Sequence, residues 1–140
     1  MNEPVWISDE LAIAIHDRQV AEHGGGSGVR DQGLLESALA RPRQKAFYGG
    51  TDVDIPALAA AYAYGIARNH PFVDGNKRTA YVLCRTFMVL NDWDIVGSLA
   101  ERYPVVISLA SGEVSEEAFA EWLREHARPD QVSEPAPVYG

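Results

Sequence analysis

His70-Pro71-Phe72-Val73-Asp74-Gly75-Asn76-Lys77-Arg78 interrupts an otherwise apolar half of the chain. Before it, Pro56 to Arg68 is alanine-rich with Tyr62, Tyr64 and Ile66, and Pro56 suits the first turn of a helix. After it, Ala80, Val82, Leu83, Cys84, Phe87, Met88 and Val89 leave few polar sides on a helix running from about Asp74 to Leu90. Residues 69–73 are then a short loop between two helices, and the second is expected to be the buried centre of the molecule. A chain built around such a pair is all-α.

The same stretch carries the chemistry. The first N–H groups of a helix have no intrahelical partner, and the helix dipole places partial positive charge there. A glycine at the turn lets an anion approach the backbone closely. Gly75, Asn76, Lys77 and Arg78 would line that end, with two cations where an isolated helix prefers acids. Their presence asks for an external anion. Asp74 offers a hard oxygen of the kind Mg²⁺ accepts when it bridges phosphates, or it is merely a helix cap. His70 is a candidate general base, histidine being the side chain that titrates near neutrality. Phe72 would turn inward and anchor the loop. From the residues alone this is a nucleotide-phosphate site with a metal ligand and a base.

Outward from the centre, Ser8 predicts a helix through about His23, closed by Gly24-Gly25-Gly26. Asp31 caps a second helix with Leu34, Leu35, Ala38 and Leu39 on one face, which Pro42 should stop. Residues 43–54, punctuated by Gly49-Gly50, read as a loop with room for a short hairpin at Phe47-Tyr48. Trp93 to Val96 reads as a short strand or extended link. Ser98 and Glu101 match a capping box for a fifth helix that Pro104 could kink. Ser115 caps a last amphipathic helix through about His126, with Phe119, Trp122 and Leu123 inward. One domain over residues 1–128 is expected, with residues 129–140 a flexible, proline-rich, acidic tail.

At 140 residues, 46% hydrophobic and 23% charged, the composition is that of a globular domain able to bury a core. Its net charge of −8 argues against a protein that lives on nucleic acid or anionic lipid. The charge is unevenly spread. Residues 28–91 hold eight basic side chains against five acids, while both flanks are acidic. Acids scattered through the N-terminal residues make a secretory leader unexpected, and no apolar run is long enough to span a bilayer. No membrane association and a cytoplasmic location are expected. A lone Cys84 reads as a buried hydrophobe.

The motif resembles the signature of the Fic/Doc superfamily, H-P-F-x-[D/E]-G-N-G-R-x-x-R in Fic proteins and H-x-F-x-[D/N]-A-N-K-R in the death-on-curing (Doc) toxins. Arg30 to Pro42 (RDQGLLESALARP) also looks like the second helix of the Doc type, so the resemblance covers roughly residues 5–126. It implies a compact helical bundle around a buried central helix. Lys77 stands where Fic proteins have a second Gly, as in Doc, and Tyr81 where they have a second Arg; Gly75 is Fic-like.

By that resemblance the chain is an ATP-dependent protein kinase and the toxin of a type II toxin–antitoxin pair. Its γ-phosphate would go to a Ser/Thr hydroxyl of a translation factor, elongation factor Tu in the family, halting translation and arresting growth. The Fic alternative is adenylylation; a non-catalytic binding module is another. His70 would deprotonate the hydroxyl, Asp74 hold Mg²⁺, and Gly75, Asn76, Lys77 and Arg78 bind ATP phosphates. Phe47, Tyr48, Gly49, Gly50 and Thr51 correspond to the flap that docks a target segment as an added strand. No Ser or Thr is followed four residues on by Glu, so the Fic-type inhibitory helix is missing from the sequence. Inhibition in trans by an antitoxin with a disordered C-terminal segment is implied.

Other residues read more plainly. His16, His23 and His126 look like ordinary helix or surface histidines, and Gly24 to Gly28 like a flexible turn without the Lys-Ser/Thr of a P-loop. Trp93 and Trp122 read as core. Arg68 and Arg85 either pair with acids or approach the site.

Overall fold

The computed structural model describes residues 3–97 and 99–129, so the tail expected at 130–140 and the capping role expected of Ser98 lie outside the described residues. Six helices follow in order: α1 (Asp9–His23), α2 (Gln32–Gly49), α3 (Ile55–Asn69), α4 (Asn76–Leu90), α5 (Leu99–Ser111) and α6 (Glu116–His126). Two three-residue strands, β1 (Trp93–Ile95) and β2 (Ala127–Pro129), pair antiparallel with Trp93 opposite Pro129. The expected all-α class holds.

The caps foreseen at Ser8, Asp31 and Ser115 form, and Asp54, read only as part of a loop, caps α3 in the same way. Each of Ser8, Asp31, Asp54 and Ser115 accepts from the N–H three residues on, at 3.1, 3.0, 2.9 and 3.0 Å. Each satisfies one of the donors that a helix start leaves open.

Pro42 does not stop α2. The helix runs seven residues further, to Gly49, and the expected hairpin at Phe47-Tyr48 is instead its last turn, followed by a 3-10 turn over Gly50–Asp52. A mid-helix proline forfeits one hydrogen bond and costs about 3 kcal/mol in an isolated helix. Here Pro42 is buried, and the α2 backbone is pressed onto α3 close by: a Cβ on Gly65 would lie 3.0 Å from the Cα of Ala38, whose carbonyl Pro42 leaves free. Burial along that contact offsets the missing bond.

The buried central helix is α3 rather than α4. Leu58 to Ala63, Ile66 and Ala67 are all fully buried, and α3 packs against α2, α4, α5 and α6. Alanines make a helix thin enough to be surrounded on all sides. By contrast α4 keeps an outer face, with Val89 44% and Leu90 41% exposed. Tyr62 places its hydroxyl within the core, where it accepts from the Ile7 N–H at 3.0 Å. Cys84 is buried as expected, and burial pushes its thiol upward in pKa.

The pairing of β1 with β2 joins the end of α4 to the end of α6 and draws Pro129 into the fold. Arg85 is answered here: its guanidinium grips the Asp94 carboxylate two-handed, at 2.9 and 3.1 Å. Arg68 lies beside the Tyr64 ring, exposed, against Gly112. Among the described residues no helix is long and apolar enough to cross a membrane.

Candidate active site

The motif fills the turn between α3 and α4. α3 ends at Asn69, and His70 caps it in the left-handed conformation (φ 52°, ψ 55°) with its N–H on the Ile66 carbonyl at 3.3 Å. A non-glycine residue held there costs of order 1–2 kcal/mol, although histidine is among the residue types enriched in this region. Arg30 secures it. Its Nε donates to the His70 carbonyl at 2.8 Å and its Nη2 to the Asn69 carbonyl at 3.0 Å, so one guanidinium closes the end of α3 and leaves the His70 side chain exposed.

Phe72 is 1% exposed, as anchoring requires. Beneath it lies His16, fully buried, its ring stacked on Phe72 at 4.0 Å and 5°. Asn76 clamps the same residue from the other side. Its Nδ2 donates to the Phe72 carbonyl and its Oδ1 accepts from the Phe72 N–H, both at 3.0 Å. The Asn76 side chain therefore holds the loop, and what it can offer an anion is its backbone N–H.

Gly75, not Asp74, occupies the N-cap of α4, at φ 71° and ψ 21°, a conformation that glycine adopts without a Cβ clash. No side chain caps this helix. The N–H groups of Asn76, Lys77 and Arg78 at its first three positions are thus left for an outside acceptor. Lys77 is exposed, and the Arg78 guanidinium lies 5.1 Å over the Tyr103 ring of α5. The exposed Asp74 carboxylate accepts from the Gly75 N–H at 2.9 Å and the Gly26 N–H at 3.3 Å. Each oxygen keeps a lone pair, so one hard ligand stands beside an unfilled set of donors.

The glycine run read as a flexible turn is the wall of this site. Val29 pairs with Phe72 in an antiparallel bridge, and the N–H groups of Arg30 and Asp31 both reach the Pro71 carbonyl at 2.7 and 3.1 Å. The Val73 N–H bonds the Gly28 carbonyl at 3.0 Å. A Cβ at Gly25 would stand 2.9 Å from Asp74 Oδ2, so only glycine lets the backbone come this near.

His16, Arg30 and the Gly24–Gly28 run are the residues that sequence reasoning missed. Three adjacent glycines were the available signal. The expected flap is not here: Phe47, Tyr48, Gly49, Gly50 and Thr51 are helical and exposed. Asn69 bonds the Leu34 carbonyl and Gly65 meets Ala38, so α2 and α3 are antiparallel and that segment lies at the far end of α3. Its separation from His70 along the helix is roughly 20 Å. A concavity of about 570 Å³ lined by Trp6, Arg43, Phe47 and Thr51 occupies that end and includes no motif residue.

The class that fold and site define is a helical bundle whose central helix leads through a histidine-bearing turn into an uncapped, cationic helix start. Residues 6–88 match the model of the Fic/DOC family, and the chain belongs to that family. It is 33% identical to "Protein kinase doc" of Escherichia phage P1 over 118 residues, 84% of this chain and 92% of that protein. It is 48% identical over 71 residues to "Toxin Doc" of Mycolicibacterium smegmatis, 49% of this chain and 52% of that one.

Proposed function

We propose that this chain is a Doc-type toxin, a protein kinase that moves the γ-phosphate of ATP to a Ser/Thr hydroxyl of a translation factor, with elongation factor Tu the expected target. The observation that carries the reading is the character of positions 77 and 81. The side chain of Lys77 is exposed at the second position of α4, where adenylylating relatives need a bare glycine to run phosphates past the backbone. Tyr81 is 3% exposed and faces the core, so position 81 supplies none of the cation with which those enzymes hold the distal phosphates. That the phage relative is named a protein kinase supports the reading.

In this reading His70 takes the proton of the target hydroxyl from its exposed perch at the end of α3. Phosphate oxygens accept from the open N–H groups of Asn76, Lys77 and Arg78, with the Lys77 ammonium near the transferred charge. Asp74 would hold Mg²⁺, which supplies charge neutralisation between phosphates when bound. No cluster of three or more His, Cys, Asp or Glu able to hold a metal occurs among the described residues, and a single carboxylate suits an ion that shares its ligands with a nucleotide. Phosphoryl transfer asks mainly for positioning and electrostatics, so a small site suffices. A small antitoxin with a disordered C-terminal segment would restrain the chain in trans, in the cytoplasm.

The test uses purified chain, elongation factor Tu and Mg-ATP labelled at either the γ- or the α-phosphate. Label should arrive from the γ position and vanish with His70→Ala. Transfer from the α position alone would establish adenylylation instead. Growth inhibition that survives His70→Ala would mean a binding module.

A further inference from the structure

His16, on α1, lies 58 residues from Asp74 in sequence, and none of the roles assigned above uses it. Its Nε2 is 2.8 Å from the Asp74 carbonyl oxygen, with the ring fully buried. A carbonyl can only accept, so Nε2 carries the proton. Nδ1 has no hydrogen-bond partner and stands 3.8 Å from an oxygen of the exposed Asp17. Leaving a buried polar atom open is a cost that ordinary core packing does not require.

A trans peptide is planar and its C=O and N–H point in opposite directions. By drawing the Asp74 carbonyl into the core, His16 turns the Gly75 N–H outward, onto the side where it meets the Asp74 carboxylate at 2.9 Å. Flipping this peptide would swing Gly75 from φ +71° to a negative φ, which glycine accepts equally well. The local sequence therefore does not choose between the two orientations. The flipped form would aim a carbonyl oxygen at the phosphate site.

We infer that His16 is a positioning residue that sets the sign of the phosphate site, holding the Asp74–Gly75 peptide with its carbonyl turned away from the ligand and its N–H on the Asp74 carboxylate. This rests on the nucleotide reading proposed above. His16→Gln keeps an amide N–H at about the reach of imidazole Nε2. His16→Phe keeps a flat ring stacked on Phe72 but removes the donor, and it also removes the open Nδ1, so its fold should survive.

Backbone amide NMR of the full chain, with Mg-ADP as the probe, reads both consequences. In the free protein the Gly75 amide signal should stay in place in His16→Gln and move in His16→Phe. Mg-ADP affinity should be near wild type in His16→Gln and weaker by about tenfold or more in His16→Phe, where the freed peptide can set a carbonyl oxygen against the phosphates. An unmoved Gly75 signal, or affinity within twofold of wild type, in a folded His16→Phe chain overturns the inference. Wild-type protein that ignores Mg-ADP, while the free-state difference persists, overturns the nucleotide reading and leaves the hold of His16 on the peptide established.

Discussion

Replacing Asn76 by alanine separates two roles that the motif alone confuses. If the side chain served only to touch phosphate, its loss would weaken nucleotide binding and leave the ligand-free protein as stable as before. Instead it makes two 3.0 Å bonds to the backbone of Phe72, a residue 1% exposed. Removing both leaves a donor and an acceptor with little access to water. Two hydrogen bonds at about 1 kcal/mol each, plus part of the desolvation penalty and less the small gain in helix propensity, give a loss of about 2–4 kcal/mol. For a chain of this length that lowers Tm by about 6–14 °C. Thermal unfolding followed by circular dichroism, without nucleotide, is the assay. A Tm within about 2 °C of wild type would refute the clamp and return Asn76 to direct ligand contact.

Arg30→Ala removes the guanidinium that fixes the carbonyls of Asn69 and His70, so transfer kinetics should show kcat falling about tenfold or more with the KM for ATP little changed. An unchanged kcat would mean that the left-handed conformation of His70 holds itself. Gly25→Ala puts a methyl 2.9 Å from Asp74 Oδ2 on backbone at φ 114°, and should raise the Mg²⁺ concentration needed for half-maximal transfer as well as lowering Tm. A variant with the wild-type Mg²⁺ dependence would dissociate the glycine run from the Asp74 carboxylate. The Asp54 carboxyl, although its partial burial pushes the other way, is held below its ordinary pKa by Arg124 and the Ala57 N–H. Its contribution is thus present above the ordinary carboxylate range and disappears as pH falls through the depressed value. Asp54→Asn, which keeps a capping oxygen, should cost about 1 kcal/mol or less at pH 7, given how exposed the pair is, and flatten the acid limb of a stability–pH curve. A limb as steep as that of wild type would remove Asp54 from the acid response.

How much could be read in advance followed from how local the physics was. Helix starts were legible because a serine or aspartate bonds the N–H three residues on, inside one window of sequence. The motif was legible because a histidine, a glycine at a positive φ and two cations at a helix start are all local features. The end of α2 was misread because the cost of Pro42 is local but the contact of Ala38 with Gly65 that offsets it is not. The flap fell with it, since a segment continuing a helix offers no strand edge.

The sequence by itself determined that this is a helical Fic/Doc chain, and which loop–helix junction carries its histidine, carboxylate, glycine and cations. Only the tertiary structure decided that α3 is the centre, that Trp93–Ile95 finds Ala127–Pro129, and which residues stand behind the motif. His16 to Asp74, Arg30 to His70 and Gly26 to Asp74 are bonds across 58, 40 and 48 residues. Each joins a backbone group to a partner that any polar residue in reach could have supplied. Periodicity and propensity carry no record of such pairs, because packing, and not local geometry, brings them together.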